Sequence, residues 1–129
     1  MANRILIIDD SEEIGKLEAQ AFENAGFEVH TEKESKEGLR EIASGNYDLV
    51  IMDLVMPEKT GFEILNELRK DGNMPSIIVY SNLSANLSRE EVLKLGAKDF
   101  FDKNNIPLET VVEQASKILS KTSAPQTTE

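Results

Sequence analysis

The 129 residues contain no cysteine and a single histidine, His30. Disulfides, thiol catalysis, thiolate metal sites and multi-histidine centres are therefore excluded together. Chemistry carried by this chain must use carboxylates, hydroxyls and lysines. Positive charge is also scarce: 14 Lys+Arg face 24 Asp+Glu, a formal net charge of −10. That is the wrong sign for gripping a phosphate backbone, so direct nucleic-acid binding is not expected. No apolar run approaches the roughly 18 residues needed to span a bilayer, and the chain reaches Asp9-Asp10 too early to hold a secretory apolar segment. No membrane association is expected, and a cytoplasmic location is. What remains suits one compact domain, because a hydrophobic fraction of 40% with 29% charged residues is enough to form a core.

Three apolar runs, Ile5-Leu6-Ile7-Ile8, Leu49-Val50-Ile51-Met52 and Ile77-Ile78-Val79-Tyr80, lack polar alternation and read as strands buried on both faces. Phe27-Glu28-Val29-His30 and Asp99-Phe100-Phe101, each preceded by a glycine, read as edge strands. Between them the period becomes helical. Ile14, Leu17, Ala21, Phe22 and Ala25 predict one amphipathic helix, and Leu108, Val111, Val112, Ala115, Ile118 and Leu119 predict another. Shorter helices are predicted around Leu39 and Ile42, around Phe62, Leu65 and Leu68, and around Val92 and Leu95, where Ser88 and Glu91 offer a capping box. Strict βα alternation implies an α/β fold with a parallel sheet covered on both faces. Ligands in such folds bind outside the carboxyl ends of the strands, where the strand order reverses. The polar segment 122–129 is expected to be a disordered tail following a domain over residues 1–121.

Just past the strands stand Asp9-Asp10, Asp53, Ser81 and Lys103. Acids at strand ends also serve as ordinary helix caps or loop carboxylates, but here four strand ends converge on one crevice. Carboxylates about 5 Å apart repel by about 3 kcal/mol per pair at an effective dielectric near 20. A cation is therefore required among them. A hard divalent ion with oxygen ligands, characteristically Mg²⁺ joined to a phosphate, fits this donor set, and Lys103 supplies the remaining positive charge. Such a site suits phosphoryl transfer, with Asp53 as a carboxylate nucleophile giving an acyl phosphate.

The pair in Ile7-Ile8-Asp9-Asp10-Ser11, the stretch from Asp53 through Met56-Pro57 to Gly61, Ser81, and the segment from Gly96 through Asp99-Phe100-Phe101-Asp102 to Lys103 together resemble the receiver domain of two-component response regulators. The resemblance covers residues 3 to about 120. It implies a flavodoxin-like (βα)5 doubly wound parallel five-stranded sheet of order 2-1-3-4-5. Asp53 would be the phosphoacceptor; Asp10, Asp53 and the Val55 backbone carbonyl would hold Mg²⁺, with Asp9 acting mainly through water. Ser81 would donate to a phosphoryl oxygen, Lys103 would pair with it, and Phe100 would swing inward as the switch aromatic, changing the surface made by the fourth helix, fifth strand and fifth helix. The implied partners are a histidine kinase or phosphotransfer protein and a downstream protein. The chain would act as a stand-alone receiver, either a monomer or a phosphorylation-dependent dimer, rather than as an enzyme with a substrate of its own. It would assist its own phosphoryl transfer and dephosphorylation.

Some positions depart from the family pattern. Asn104 follows Lys103 where proline is usual, so a trans bond and an altered last loop are expected. Asn82 stands where a very small residue is preferred, and apolar Val55 and Leu83 replace residues that can orient water, which predicts a longer-lived phosphoaspartate. Asn82 and the missing Lys-Pro favour a pseudo-receiver that is not phosphorylated; the complete Asp10, Asp53 and Lys103 set opposes it. A small Mg²⁺-dependent phosphohydrolase would need Asp-x-Asp where the chain has Asp53-Leu54-Val55. A dinucleotide-binding domain would need a glycine-rich turn where it has Asp9-Asp10-Ser11.

Overall fold

The computed structural model describes residues 3–72, 74–82 and 85–123. Five strands alternate with five helices: β1 (Arg4–Ile8), α1 (Glu12–Asn24), β2 (Glu28–Glu32), α2 (Ser35–Ala43), β3 (Leu49–Met52), α3 (Gly61–Asp71), β4 (Ile77–Ser81), α4 (Ala85–Lys94), β5 (Asp99–Asp102) and α5 (Leu108–Ser123). The strands form one sheet in the order β2-β1-β3-β4-β5, all pairs parallel. The order reverses after β1, which puts the crevice where β1 and β3 lie side by side. Every residue of β3 and β4 is buried, as is β1 from Ile5 onward. That is why these strands read as unbroken apolar runs.

Side chains alternate across the sheet, and two cores result. Leu6, Ile8, Val50, Met52, Ile77, Val79 and Phe100 face one side and pack with Ile42 of α2, Ile64, Leu65 and Leu68 of α3 and Val92 of α4. Ile5, Ile7, Leu49, Ile51, Ile78 and Tyr80 face the other and pack with Phe22 of α1 and with Val111, Ala115 and Leu119 of α5.

Local chemistry sets the helix ends nearest the crevice. Ser11 caps α1 by accepting from the Ile14 amide at 3.2 Å, so the cap is made by neither Asp9 nor Asp10. Thr60 caps α3 in a reciprocal box: Glu63 N donates to Thr60 Oγ1 at 3.2 Å and Thr60 N to Glu63 Oε1 at 2.8 Å. Gly61 must be small, because a Cβ there would lie 2.7 Å from the Asp53 carbonyl oxygen.

Three expectations are corrected. The buried stripe of α1 is Gly15, Glu18 and Phe22, whereas Ile14 is 36% and Leu17 62% exposed. The helix is thus rotated by about one residue from the phase its apolar residues predict, and a glutamate takes the inward position. Helix α4 begins at Ala85, so Ser88 lies within it and cannot be its N-cap. Thr122 and Ser123, expected in the tail, close α5; residues 124–129, like Leu83, lie outside the described residues. Among the described residues no helix is long and apolar enough to cross a membrane.

Candidate functional site

The carboxyl ends of β1, β3, β4 and β5 bring Asp9, Asp53, Ser81 and Lys103 together, as their strand-end positions predict. Lys103 Nζ donates to Asp9 Oδ2 at 2.6 Å and to Asp53 Oδ2 at 3.5 Å. Ser81 Oγ, fully buried, donates to Asp53 Oδ1 at 2.7 Å. The same oxygen accepts from the Leu54 amide at 2.7 Å and the Val55 amide at 3.4 Å, and Asp9 Oδ1 accepts from the Ser11 amide at 2.9 Å. The Asp53 carboxylate is thus held by backbone, hydroxyl and ammonium donors before any ligand arrives, a preorganised setting for added negative charge.

Asp10, the second acid of the pair, is exposed. One carboxylate oxygen from each of Asp9, Asp10 and Asp53 falls within 4.8 Å of the others. Three hard oxygen donors of this kind fit Mg²⁺ and suit a soft ion poorly. Val55 follows in the β3–α3 loop with its side chain 56% exposed. This loop is pinned by a hydroxyl whose importance the sequence did not disclose: buried Ser35 donates to the Pro57 carbonyl at 2.9 Å and accepts from the Lys59 amide at 3.3 Å. Glu58, at φ 71, takes the left-handed turn between them.

Phe100 is fully buried, packed on the α2–α4 side of the sheet. Its carbonyl accepts from Arg89 of α4 at 2.9 Å, and Arg89 also pairs with Asp99 at 3.1 Å, so α4 and β5 are tied at this point. No cis peptide bond occurs among the described residues, and the Lys103–Asn104 bond is trans as expected. In place of a proline, Asp102 shapes the last loop: its Oδ1 accepts from the Asn104 amide and its Oδ2 from the Asn105 side chain, each at 2.9 Å. The Asn104 amide group reaches the Asn82 carbonyl at 3.4 Å. His30, given no role from sequence, pairs with Glu32 at 2.7 Å.

Glu18 is the residue that sequence reasoning missed. It is 3% exposed, and its Oε2 lies 3.7 Å from Lys103 Nζ. Burial pushes its carboxyl up to about 7; Lys103 opposes that shift, while Asp9 and Asp53 add to it. Burial also works against the charged form of Lys103, yet the hydrogen bond to Asp9 and the charges of Glu18, Asp53 and Asp9 prevail and raise its pKa. The two partners differ because one ammonium serves three carboxylates. Lys103 gains from all of them, whereas Glu18 receives the most distant share and feels the other two as repulsion. The legible signal was spacing: Gly15, Glu18 and Phe22 stand at i, i+3 and i+7, a helical face with an acid in it.

A doubly wound parallel sheet with an acidic crevice, a buried hydroxyl and one lysine at the strand ends defines an α/β domain whose ligand site lies at the topological switch point. The model of the response regulator receiver domain matches residues 5–116, and the chain belongs to that family. It is 37% identical over 103 residues to the uncharacterized transcriptional regulatory protein YrkP of Bacillus subtilis, covering 80% of this chain and 44% of YrkP. To the transcriptional regulatory protein SrrA of Staphylococcus aureus it is 31% identical over 112 residues, covering 87% and 46%. The chain thus spans less than half the length of these curated relatives. Among solved structures, the receiver domain of the Francisella response regulator 1452 superposes with a TM-score of 0.88 at 26% identity, covering 94% of this chain and 99% of that one. A receiver domain protein from Clostridium thermocellum gives 0.84 at 27%, covering 95% and 97%. Receiver domains are signalling switches of two-component systems, typically phosphorylated and Mg²⁺-dependent, and are not enzymes in the ordinary sense.

Proposed function

We propose that this domain is a phosphorylation-dependent switch whose acceptor is Asp53. A histidine kinase or phosphotransfer protein in the cytoplasm supplies the phosphoryl group. The Asp53 carboxylate attacks phosphorus, the new O–P bond forms as the donor's N–P bond breaks, and the departing imidazole takes up a proton. The observation that carries this reading is the grip on Asp53: Ser81 at 2.7 Å and Lys103 at 3.5 Å stand on either side of one carboxylate at the end of a buried strand.

Asp10, Asp53 and the Val55 carbonyl would hold Mg²⁺, with Asp9 acting through water; when bound, the ion would offset the negative charge of the phosphoryl oxygens. Ser81 follows the transferred group as a hydrogen-bond donor, and Lys103 pairs with its oxygens. Phosphorylation adds about two negative charges to the crevice, and whichever arrangement of Ser81, Phe100 and β5 binds them better gains population. Arg89 passes a shift of β5 to α4, so the α4-β5-α5 surface reports the state to a downstream protein. The domain acts as a monomer or a phosphorylation-dependent dimer. Apolar Val55 at the crevice rim orients no attacking water, which favours slow self-dephosphorylation.

Intact mass after incubation with Mg²⁺ and acetyl phosphate or phosphoramidate tests the acceptor. One phosphoryl group on the native chain and none on Asp53→Asn is expected. No gain on either, or equal gain on both, overturns the reading.

A further inference from the structure

Glutamates are almost never fully buried unless they are paired. Glu18 is at the middle of α1, inward between Gly15 and Phe22, and it lies outside the acceptor, hydroxyl and metal-holding set. Its place follows from the sheet's alternation. Asp9, Asp53 and Lys103 continue the parity of Ile5 and Ile7, of Leu49 and Ile51, and of Phe101, the strand residues that face α1 and α5. The crevice therefore leans toward α1, and the inward residue of that helix meets the Lys103 ammonium. The groups around Glu18 are Lys103 at 3.7 Å, Asp9 and Asp53, whose charges it feels, and Tyr80, whose ring lies 5.6 Å from Lys103 Nζ. The Tyr80 hydroxyl is committed to the Ile106 carbonyl at 2.8 Å and leaves Glu18 to Lys103.

We propose that Glu18 is a positioning residue for Lys103: it is a counter-charge on α1, outside the acceptor crevice, that the ammonium must give up when a phosphoryl oxygen on Asp53 takes it. The inference rests on the phosphoacceptor reading above and names what opposes it. A Mg²⁺ ion held there would offset the charge of Asp9, Asp10 and Asp53, whereas Glu18 stands outside that cluster. Glu18 thus keeps Lys103 drawn toward α1 and adds its own repulsion to an incoming dianion. It sets how tightly the crevice accepts phosphate and how long it keeps it.

The consequence is a split of signs. Replacing Glu18 by glutamine keeps the volume and an accepting oxygen but removes one negative charge. An anion should then bind more tightly and a cation less tightly. A defect in packing would weaken both.

The experiment is calorimetric titration of the full chain at pH 8 with Mg²⁺ alone, then with beryllofluoride at saturating Mg²⁺, for the native protein and Glu18→Gln. Beryllofluoride affinity should rise about tenfold and Mg²⁺ affinity fall about threefold; both are well below the bare Coulomb energy of one unit charge at an effective dielectric near 20, because Lys103 and solvent screen Glu18 from the crevice. A metal-free arm uses urea unfolding of native, Glu18→Gln, Lys103→Met and the double variant. The gain in midpoint from Glu18→Gln should be larger in the Lys103→Met background, where the glutamate is left without its ammonium. Unchanged or weakened beryllofluoride binding in Glu18→Gln, or equal midpoint gains in both backgrounds, overturns the role of Glu18 alone. A native protein that binds neither probe overturns the phosphoacceptor reading, and this proposal with it.

Discussion

The two faces of the sheet are built on opposite terms. The face covered by α2, α3 and α4 is lined by aliphatic residues and Phe100. The face covered by α1 and α5 has its own apolar cluster, but next to it lie buried Glu18 and Asp9, Lys103 and the Tyr80 hydroxyl. The first face behaves as a frame whose stability comes from removing apolar surface from water, a term that is nearly indifferent to pH. The second carries charge into the interior, where it is costly alone and tolerable only when paired. The difference lies in charge: negative charge added at the crevice would meet neutral packing, Phe100 included, on one side and a balance of buried ionic groups on the other.

The comparison can be broken most forcefully on the apolar face. Ile64→Ala removes a fully buried side chain and should cost about 2–5 kcal/mol in urea unfolding, by the same amount at pH 5 and at pH 8. A pH-dependent loss would break the distinction. On the other face, the Glu18 carboxyl is raised from its ordinary 4.5 to about 7, so the folded protein holds a proton that the unfolded chain releases. The stability tied to that proton is complete below about pH 4.5 and is lost as pH rises through about 7. At about 1.4 kcal/mol per unit the loss is on the order of 3 kcal/mol. Glu18→Gln should flatten that decline, measured as unfolding free energy against pH. An unchanged slope would assign it to other groups. The smallest effect belongs to neither core: Thr60→Ala opens the capping box of α3 and should cost about 1 kcal/mol, with no pH dependence over this range.

The alternation of strands and helices was legible because period is a local property. Buried parallel strands read as apolar runs, and helices as stripes at 3.6-residue spacing. The acids, Ser81 and Lys103 at the strand ends were legible for the same reason, since a strand end is a position along the chain. The phase of α1 was not. Apolar Ile14 and Leu17 predicted an inward face that the fold turns out to water, because hydrophobicity cannot foresee a glutamate whose burial is compensated by a lysine on another strand. The Ser88 cap failed similarly: a capping box is a local preference, and the chain began α4 at Ala85.

By itself, then, the sequence determined the element order, the parallel sheet and the acidic character of one sheet end, all consequences of spacing along one chain. Only the tertiary structure decided that Ser35 would pin the Asp53 loop and that Glu18 would meet Lys103. Both depend on residues far apart in sequence sharing an environment from which water is excluded, and there a charge or a hydroxyl is ruled by its neighbours rather than by its own preference.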